Sequence, residues 1–492
     1  MSSWFGPKAP SRVPTDTVAP LRFWDDAMLL KSLVVYSLAR YDSLLDAEKL
    51  RSSLERLASL KGWKKLGARL RKNSKGEIEY HVPETFTAER PAIAFSHVKH
   101  NVAIAAHELA SQLPRPNPTR PIIAGDPEIF TPLLKPEGAP TKIDDYLVQD
   151  RGQLGLHVVS FLDATLVVLY YNHTSFDLMG WGALMTAWTH VLHGREDQVA
   201  TPVGGDPGSD DFDALKTLGT NPTEPHVLQK HLMQTAGLVG YGASNIIDLA
   251  FRGKENRIVC VPGAFIENLR TKILEELQAE ATAAGSSEKP FVTEADVLGA
   301  WWTKLAVTSL MKADSNRTVN LQYAASARKA LGMSTDPAKD PYFSNLFTML
   351  YTLLPASEII QKPVSHLARE IRRSVVEQGT RAQVEAYFAL QREAAGKMVP
   401  FFGDAGMHLM TLSNWGKADL YGHDFSPAAV SKEDAAKPQY PSYIQTTQLP
   451  FNFPEGFCVI GQDNAKNVWL YGFRIAGYWD KVEQALRETD GL

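Results

Sequence analysis

Hydrophobic positions in this chain fall into two periods. Leu50, Leu54, Leu57 and Leu60 recur every three or four residues, which predicts a helix over 47–60, whereas 77–82 alternates as a half-buried strand does. Residues 155–161 and 165–171 are β-rich runs separated by Leu162-Asp163-Ala164, the pattern of a hairpin with its turn near Asp163. Trp181, Leu184, Met185, Trp188, Val191 and Leu192 then return at helical spacing, and Gly194 supplies a stop. The predicted unit is strand, turn, helix, with His173 at the end of the second strand.

Beyond it, 257–261 reads as a strand, and Ile266, Leu269, Ile273, Leu274 and Leu277 form one helix face. Thr293 with Asp296 resembles a capping box and opens a helix containing Leu298, Trp301, Trp302 and Leu305; Leu367, Ile371 and Val375 mark another. Eight prolines between 114 and 140 predict a long surface connection, and the Gly-, Asp- and Pro-rich stretch 201–226 a domain linker. The expected fold class is therefore α/β (α+β), with an N-terminal half over 1–200 and a C-terminal half over 227–492.

Length agrees, since 492 residues exceed what one core spans. With 44% hydrophobic and 22% charged residues the composition is that of a packed globular protein. A net charge of -4 gives no global attraction to nucleic acid or anionic lipid. Cys260 and Cys458 are the only cysteines and show no metal-ligand spacing, so neither a disulfide framework nor a zinc site is expected. No apolar run approaches the roughly 18 residues of a membrane span, and no secretory leader is visible. A cytoplasmic protein without a membrane partner is the expectation.

Candidate chemistry centres on Tyr171-Asn172-His173-Thr174-Ser175-Phe176-Asp177. An imidazole at a strand end is held by rigid backbone, and it titrates near neutrality, so it can take a proton from an alcohol or amine attacking a carbonyl. Asp177 can orient the ring, brace the turn or cap the next helix. The chain has no Gly-x-Ser-x-Gly elbow, no phosphate-binding glycine loop and no His-Glu-x-x-His, so nucleophilic serine chemistry, dinucleotides and metals are not expected.

These segments resemble, in order along nearly the whole chain, the BAHD acyltransferase family. Leu66-Gly67-Ala68-Arg69-Leu70 is similar to its early Leu-Ala-Gly-Arg-Leu turn, and His173-Thr174-Ser175-Phe176-Asp177 to its HxxxD motif. Residues 293–302 look like its Trp-containing helix, and Tyr342-Phe343-Ser344-Asn345 resembles its Tyr-Phe-Gly-Asn segment. Ser413-Asn414-Trp415, followed nine residues after the Trp by Asp424-Phe425, resembles its late motif. Ser426-Pro427-Ala428 in place of Gly-Trp-Gly, and Leu178 in place of Gly, point to a divergent branch nearer the trichothecene acetyltransferase-like members.

The resemblance implies two similar CoA-dependent-acyltransferase domains, each a mixed sheet flanked by helices, with a channel between them. Its function would be transfer of an acyl group, acetyl being the commonest, from acyl-CoA to a specialised-metabolite hydroxyl, with an amine acceptor left open. It further implies His173 as general base, Asp177 held by Arg328, Ser413 and Trp415 near the thioester as oxyanion donors, and Asp424 as structural support. A monomer without a permanent cofactor follows, acyl-CoA and a small-molecule acceptor being the partners. Two alternatives stand beside it. One is a relative of peptide-synthetase condensation domains with a carrier-bound donor, although Asn172 stands where their first His belongs. The other is a non-catalytic binding or scaffold protein that kept the fold.

Overall fold

The computed structural model describes residues 9–116, 118–247, 251–450 and 455–488. Its strands in chain order are β1 (Thr17–Pro20), β2 (Leu33–Tyr41), β3 (Arg69–Lys72), β4 (Ile78–Val82), β5 (Ala94–Lys99), β6 (Ile122–Gly125), β7 (Leu154–Ser160), β8 (Thr165–Asn172), β9 (Lys254–Pro262), β10 (Thr318–Ser326), β11 (Phe347–Pro355), β12 (His408–Asn414), β13 (Tyr443–Pro450), β14 (Gly456–Gln462) and β15 (Asn467–Ile475). They form a three-stranded sheet β1-β4-β3, a five-stranded sheet β13-β2-β8-β7-β5 and a seven-stranded sheet β11-β10-β12-β14-β15-β9-β6.

The hairpin predicted around Asp163 is β7 and β8, paired antiparallel from Leu154↔Tyr171 to Ser160↔Thr165. Every residue of both strands is buried, which is why their apolar runs are continuous rather than alternating. Gly155 faces Tyr170 across the pair, and a Cβ there would stand 2.0 Å from the tyrosine ring. The helix Leu178–Leu192 buries Trp181 and Trp188 together with most of its other residues. Helix Ala47–Ser59 packs beside it, and Trp188 Nε1 donates to Ser53 Oγ at 2.9 Å. In the other half, helices Gly263–Ala283, Glu294–Leu310 and Val364–Gln378 share a core with the seven-stranded sheet, with Trp301 and Trp302 inside it. The Thr293 capping box is formed in both directions.

Two strands cross the boundary that 201–226 suggests. β6, inside the proline-rich stretch expected to be a surface connection, pairs with β9 at the edge of the seven-stranded sheet. An edge accommodates such a strand because flanking prolines then remove no ladder hydrogen bond. β13, from the last 50 residues of the chain, pairs with β2 along its whole length and completes the five-stranded sheet. The 201–226 stretch is a run of turns bound to residues 22–24. Gly204 O accepts from Arg22, Asp213 Oδ2 from Phe23 N at 3.0 Å, and Leu215 O from Trp24 Nε1 at 2.9 Å.

Candidate active site

β8 ends at Asn172, and the next five residues form the turn that the sequence singled out. Asn172 shapes it: Oδ1 accepts from Thr174 N at 3.1 Å and Thr174 Oγ1 at 2.7 Å, while Nδ2 donates to Leu33 O at 3.0 Å. His173 N also donates to Leu33 O, at 2.9 Å, so the turn is tied to the start of β2 on both sides of the imidazole-bearing residue. The His173 ring is half-buried. Burial pushes its pKa below the usual histidine value, against opposing contributions from its own backbone carbonyl, Asp177, Asn345 and Asp25, so at neutral pH it is an uncharged base.

Its protonated nitrogen is fixed by Asn345, which lies in the segment leading into β11. Asn345 Nδ2 donates to His173 O at 2.9 Å and to Asp25 Oδ1 at 2.8 Å. Both partners are acceptors, which sets the amide's orientation and leaves Oδ1 facing His173 Nδ1 at 3.1 Å. Nδ1 must therefore carry the hydrogen, and the lone pair available for accepting a proton is on Nε2.

Asp177 faces Arg328, which follows β10. Arg328 Nη1 and Nη2 meet Asp177 Oδ2 and Oδ1 at 2.7 and 2.8 Å, a two-pronged pair with both side chains buried. The same carboxylate caps the helix Leu178–Leu192 through Gly180 N and accepts from Leu346 N at 2.9 Å. Arg328 also donates to the carbonyls of Tyr342, Ser344 and Leu346. Asp177 thus fastens the His173 turn to the segment that carries Asn345.

Ser413 and Trp415 sit at the end of β12, parallel to β10, with Ser413 opposite Ala324. Trp415 Nε1 donates to Ser413 Oγ at 3.0 Å, so the indole's single proton is committed to the serine, whose hydroxyl also meets the Cys458 thiol on the neighbouring strand. Asp424 accepts from Ser426 N, Ser426 Oγ and Gln439 N at 2.8, 2.9 and 2.8 Å, and His193 Nε2 lies 3.5 Å from it. Phe425 is fully buried against Tyr41 and Trp188. Asp424 therefore organises its own loop, and Ser426, where the resembling family has Gly, supplies two of the three bonds, one of them through a hydroxyl that Gly lacks.

Four buried polar residues here lie outside the sequence reading of the site: Asn345, Asp25, Lys65 and Arg22. Asn345 closes the Tyr342-Phe343-Ser344-Asn345 segment, whose sequence pattern carries no sign of contact with His173. Lys65 Nζ donates to Ser175 O at 2.7 Å and Phe343 O at 2.9 Å and stands 3.7 Å from Asp25 Oδ2. Burial, with Arg22 adding repulsion, pulls its pKa down to about 7. In sequence, Lys64-Lys65 and Asp25-Asp26 look like solvated surface charges; only the second member of the first pair and the first of the second point inward.

Residues 153–432 match the family described as the Transferase family. Among curated relatives, the protein named Transcriptional regulator calD from Penicillium decumbens is 39% identical over 98% of this chain and 97% of its own length. Acetyltransferase adrJ from Penicillium roqueforti is 34% identical over 98% of both chains. Among solved structures, F. graminearum TRI101 complexed with Coenzyme A and T-2 mycotoxin superposes with a TM-score of 0.67. The match covers 94% of this chain and 96% of TRI101 at 14% identity, which establishes a shared two-domain acyltransferase fold.

Proposed function

We propose that this chain, which belongs to the Transferase family of BAHD acyltransferases, moves an acyl group from acyl-CoA to a hydroxyl of a small specialised metabolite, with His173 as the base. The observation that carries the assignment of the base is the Asn345 contact, which puts the hydrogen on Nδ1 and leaves Nε2 free to accept. Nε2 takes the hydroxyl proton as the oxygen attacks the thioester carbonyl, giving a tetrahedral oxyanion. Ser413 Oγ, which accepts from the Trp415 indole, donates a hydrogen bond to that oxyanion. As the C–S bond breaks, the imidazolium returns its proton to the departing thiolate, so ester and CoA thiol leave and the enzyme is unchanged.

The donor in this reading is acetyl-CoA, by analogy with the relatives named acetyltransferases. The enzyme works as a cytoplasmic monomer and holds no cofactor between turnovers. The test is release of free CoA thiol from a panel of acyl-CoAs with pooled alcohol and amine acceptors, wild type against His173→Ala. Acceptor-dependent release that falls by about 10²–10⁴ in the variant is expected. Equal release by both would remove His173 from the base position.

The name borne by the Penicillium decumbens relative favours a second reading, a chain of this fold that acts without turnover. The same assay separates the two, because such a chain would release no acceptor-dependent thiol from any donor.

A further inference from the structure

We infer that Asp25 is a positioning residue for the acyl transfer proposed above, on which this inference rests, and that it acts on His173 through the Asn345 amide. Asp25 is fully buried. Its Oδ1 accepts from Asn345 N at 3.0 Å and Asn345 Nδ2 at 2.8 Å, and Ser344 Oγ donates to Oδ2. The amide that Asp25 grips is the one whose Oδ1 holds His173 Nδ1 and whose Nδ2 also reaches the His173 carbonyl. Carboxylate, amide and imidazole therefore form one line of hydrogen bonds.

The line has an electronic consequence. A carboxylate on the N–H side of an amide draws electron density toward the amide oxygen, and in a water-poor interior each bond of such a chain strengthens the next. A more negative Asn345 Oδ1 holds Nδ1–H more firmly and makes Nε2 a better proton acceptor. It performs through a neutral intermediary what a carboxylate bonded directly to the ring performs elsewhere, namely fixing the tautomer and stabilising the imidazolium. Asp177 does not fill that role, because its oxygens are taken by Arg328, Gly180 N and Leu346 N.

The surroundings allow a buried carboxylate at Asp25. Lys65 Nζ lies 3.7 Å away, Arg22 bonds the neighbouring Phe343 carbonyl, and Tyr80 OH is 3.4 Å from Oδ2. The His173 ring is also faced by its own backbone carbonyl, by Asp177, which is neutralised by Arg328, and by the Tyr171 ring at 6.4 Å. Trp24, buried against Phe388 and bonded to Leu215 O, anchors the short segment that presents Asp25.

The test reads the imidazole itself and needs no substrate. Full-length protein is labelled with ¹⁵N,¹³C-histidine, and His173 is assigned among the 13 histidines by its loss in His173→Gln. Wild type is expected to show His173 as the Nδ1–H tautomer. In Asp25→Asn that tautomer should give way to a mixture, with the titration midpoint moving to lower pH and acyl-CoA-dependent kcat/KM falling about tenfold or more, short of the 10²–10⁴ a general base contributes. Ser344→Ala, which removes an equally direct bond to the same carboxylate but leaves Asn345 in place, should keep the wild-type tautomer and midpoint.

An unchanged His173 spectrum in Asp25→Asn, or an equal change in Ser344→Ala, overturns the inference. If Asp25→Asn does not fold, the exchange variant Asp25→Asn/Asn345→Asp moves the carboxylate next to the ring. It should retain the Nδ1–H tautomer with a midpoint above wild type, and a midpoint at or below wild type refutes the relay. Wild type that shows the Nδ1–H tautomer of His173 but releases no acceptor-dependent thiol would refute the acyltransferase reading and, with it, a positioning role in acyl transfer, while the variant spectra still decide whether Asp25 acts on the ring.

Discussion

Asp177→Ala tests the architecture that underlies the site. The carboxylate accepts four N–H donors, two from Arg328 and one each from Gly180 and Leu346, and the side chains of the ion pair are 7% and 2% exposed. Breaking a buried pair by deleting one partner costs about 3–5 kcal/mol, because the other charge is left without compensation. Losing the helix cap adds about 1 kcal/mol. Against a typical folding stability of about 5–15 kcal/mol, this is a large fraction.

Urea unfolding at pH 7.5, followed by circular dichroism, should rank wild type above Asp177→Asn and Asp177→Ala lowest, since asparagine caps a helix about as well as aspartate but cannot pair with the guanidinium. Arg328→Met should lose a similar amount. The double variant Asp177→Ala/Arg328→Met should lose clearly less than the two single losses added together, because neither charge is then stranded. Asp177→Ala within about 1 kcal/mol of wild type, or strict additivity in the double variant, would refute a coupled buried pair.

Because burial holds His173 below its usual pKa of 6.5, kcat/KM should be flat between pH 7 and 8 and decline only at more acid pH; a midpoint above 6.5 would contradict the site's geometry. His157 and His226 are pulled to about 4 by burial, so the unfolded chain takes up their protons first; the stability they contribute is fully present above pH 6.5 and lost as pH falls toward 4. Melting temperatures at pH 7.5 and 4.5 check this, the lower one being expected at 4.5. Ser413→Ala should lower kcat by about 10²–10³ at saturating acyl-CoA, the usual cost of an oxyanion donor, and Trp415→Phe should cost less; the reverse order would give the role to the indole. Gly155→Ala should destabilise by about 1–3 kcal/mol in the same urea assay, because its Cβ would press into the Tyr170 ring, and a neutral result would mean that β7 and β8 can shift apart.

The sequence by itself determined the elements whose cause is local. The hairpin β7–β8, the helix bearing Trp181 and Trp188, the Thr293 capping box and the placement of His173 at a strand end all follow from periodicity and capping chemistry within a few residues. The order of motifs along the chain was enough to name a family and a reaction, and to pair Asp177 with Arg328, 151 residues apart. Tertiary structure decided which strands complete each sheet, because β6 and β13 gain their ladders only from partners distant in sequence. It also decided the surroundings of the imidazole. Asp25, Lys65 and Asn345 carry no periodic signal, and a charged residue in a sequence looks solvated until the fold shows what surrounds it. Here their hydrogen-bonding partners come from segments up to 320 residues away, and only the packing of the two halves could bring a carboxylate, an amide and an imidazole into one line.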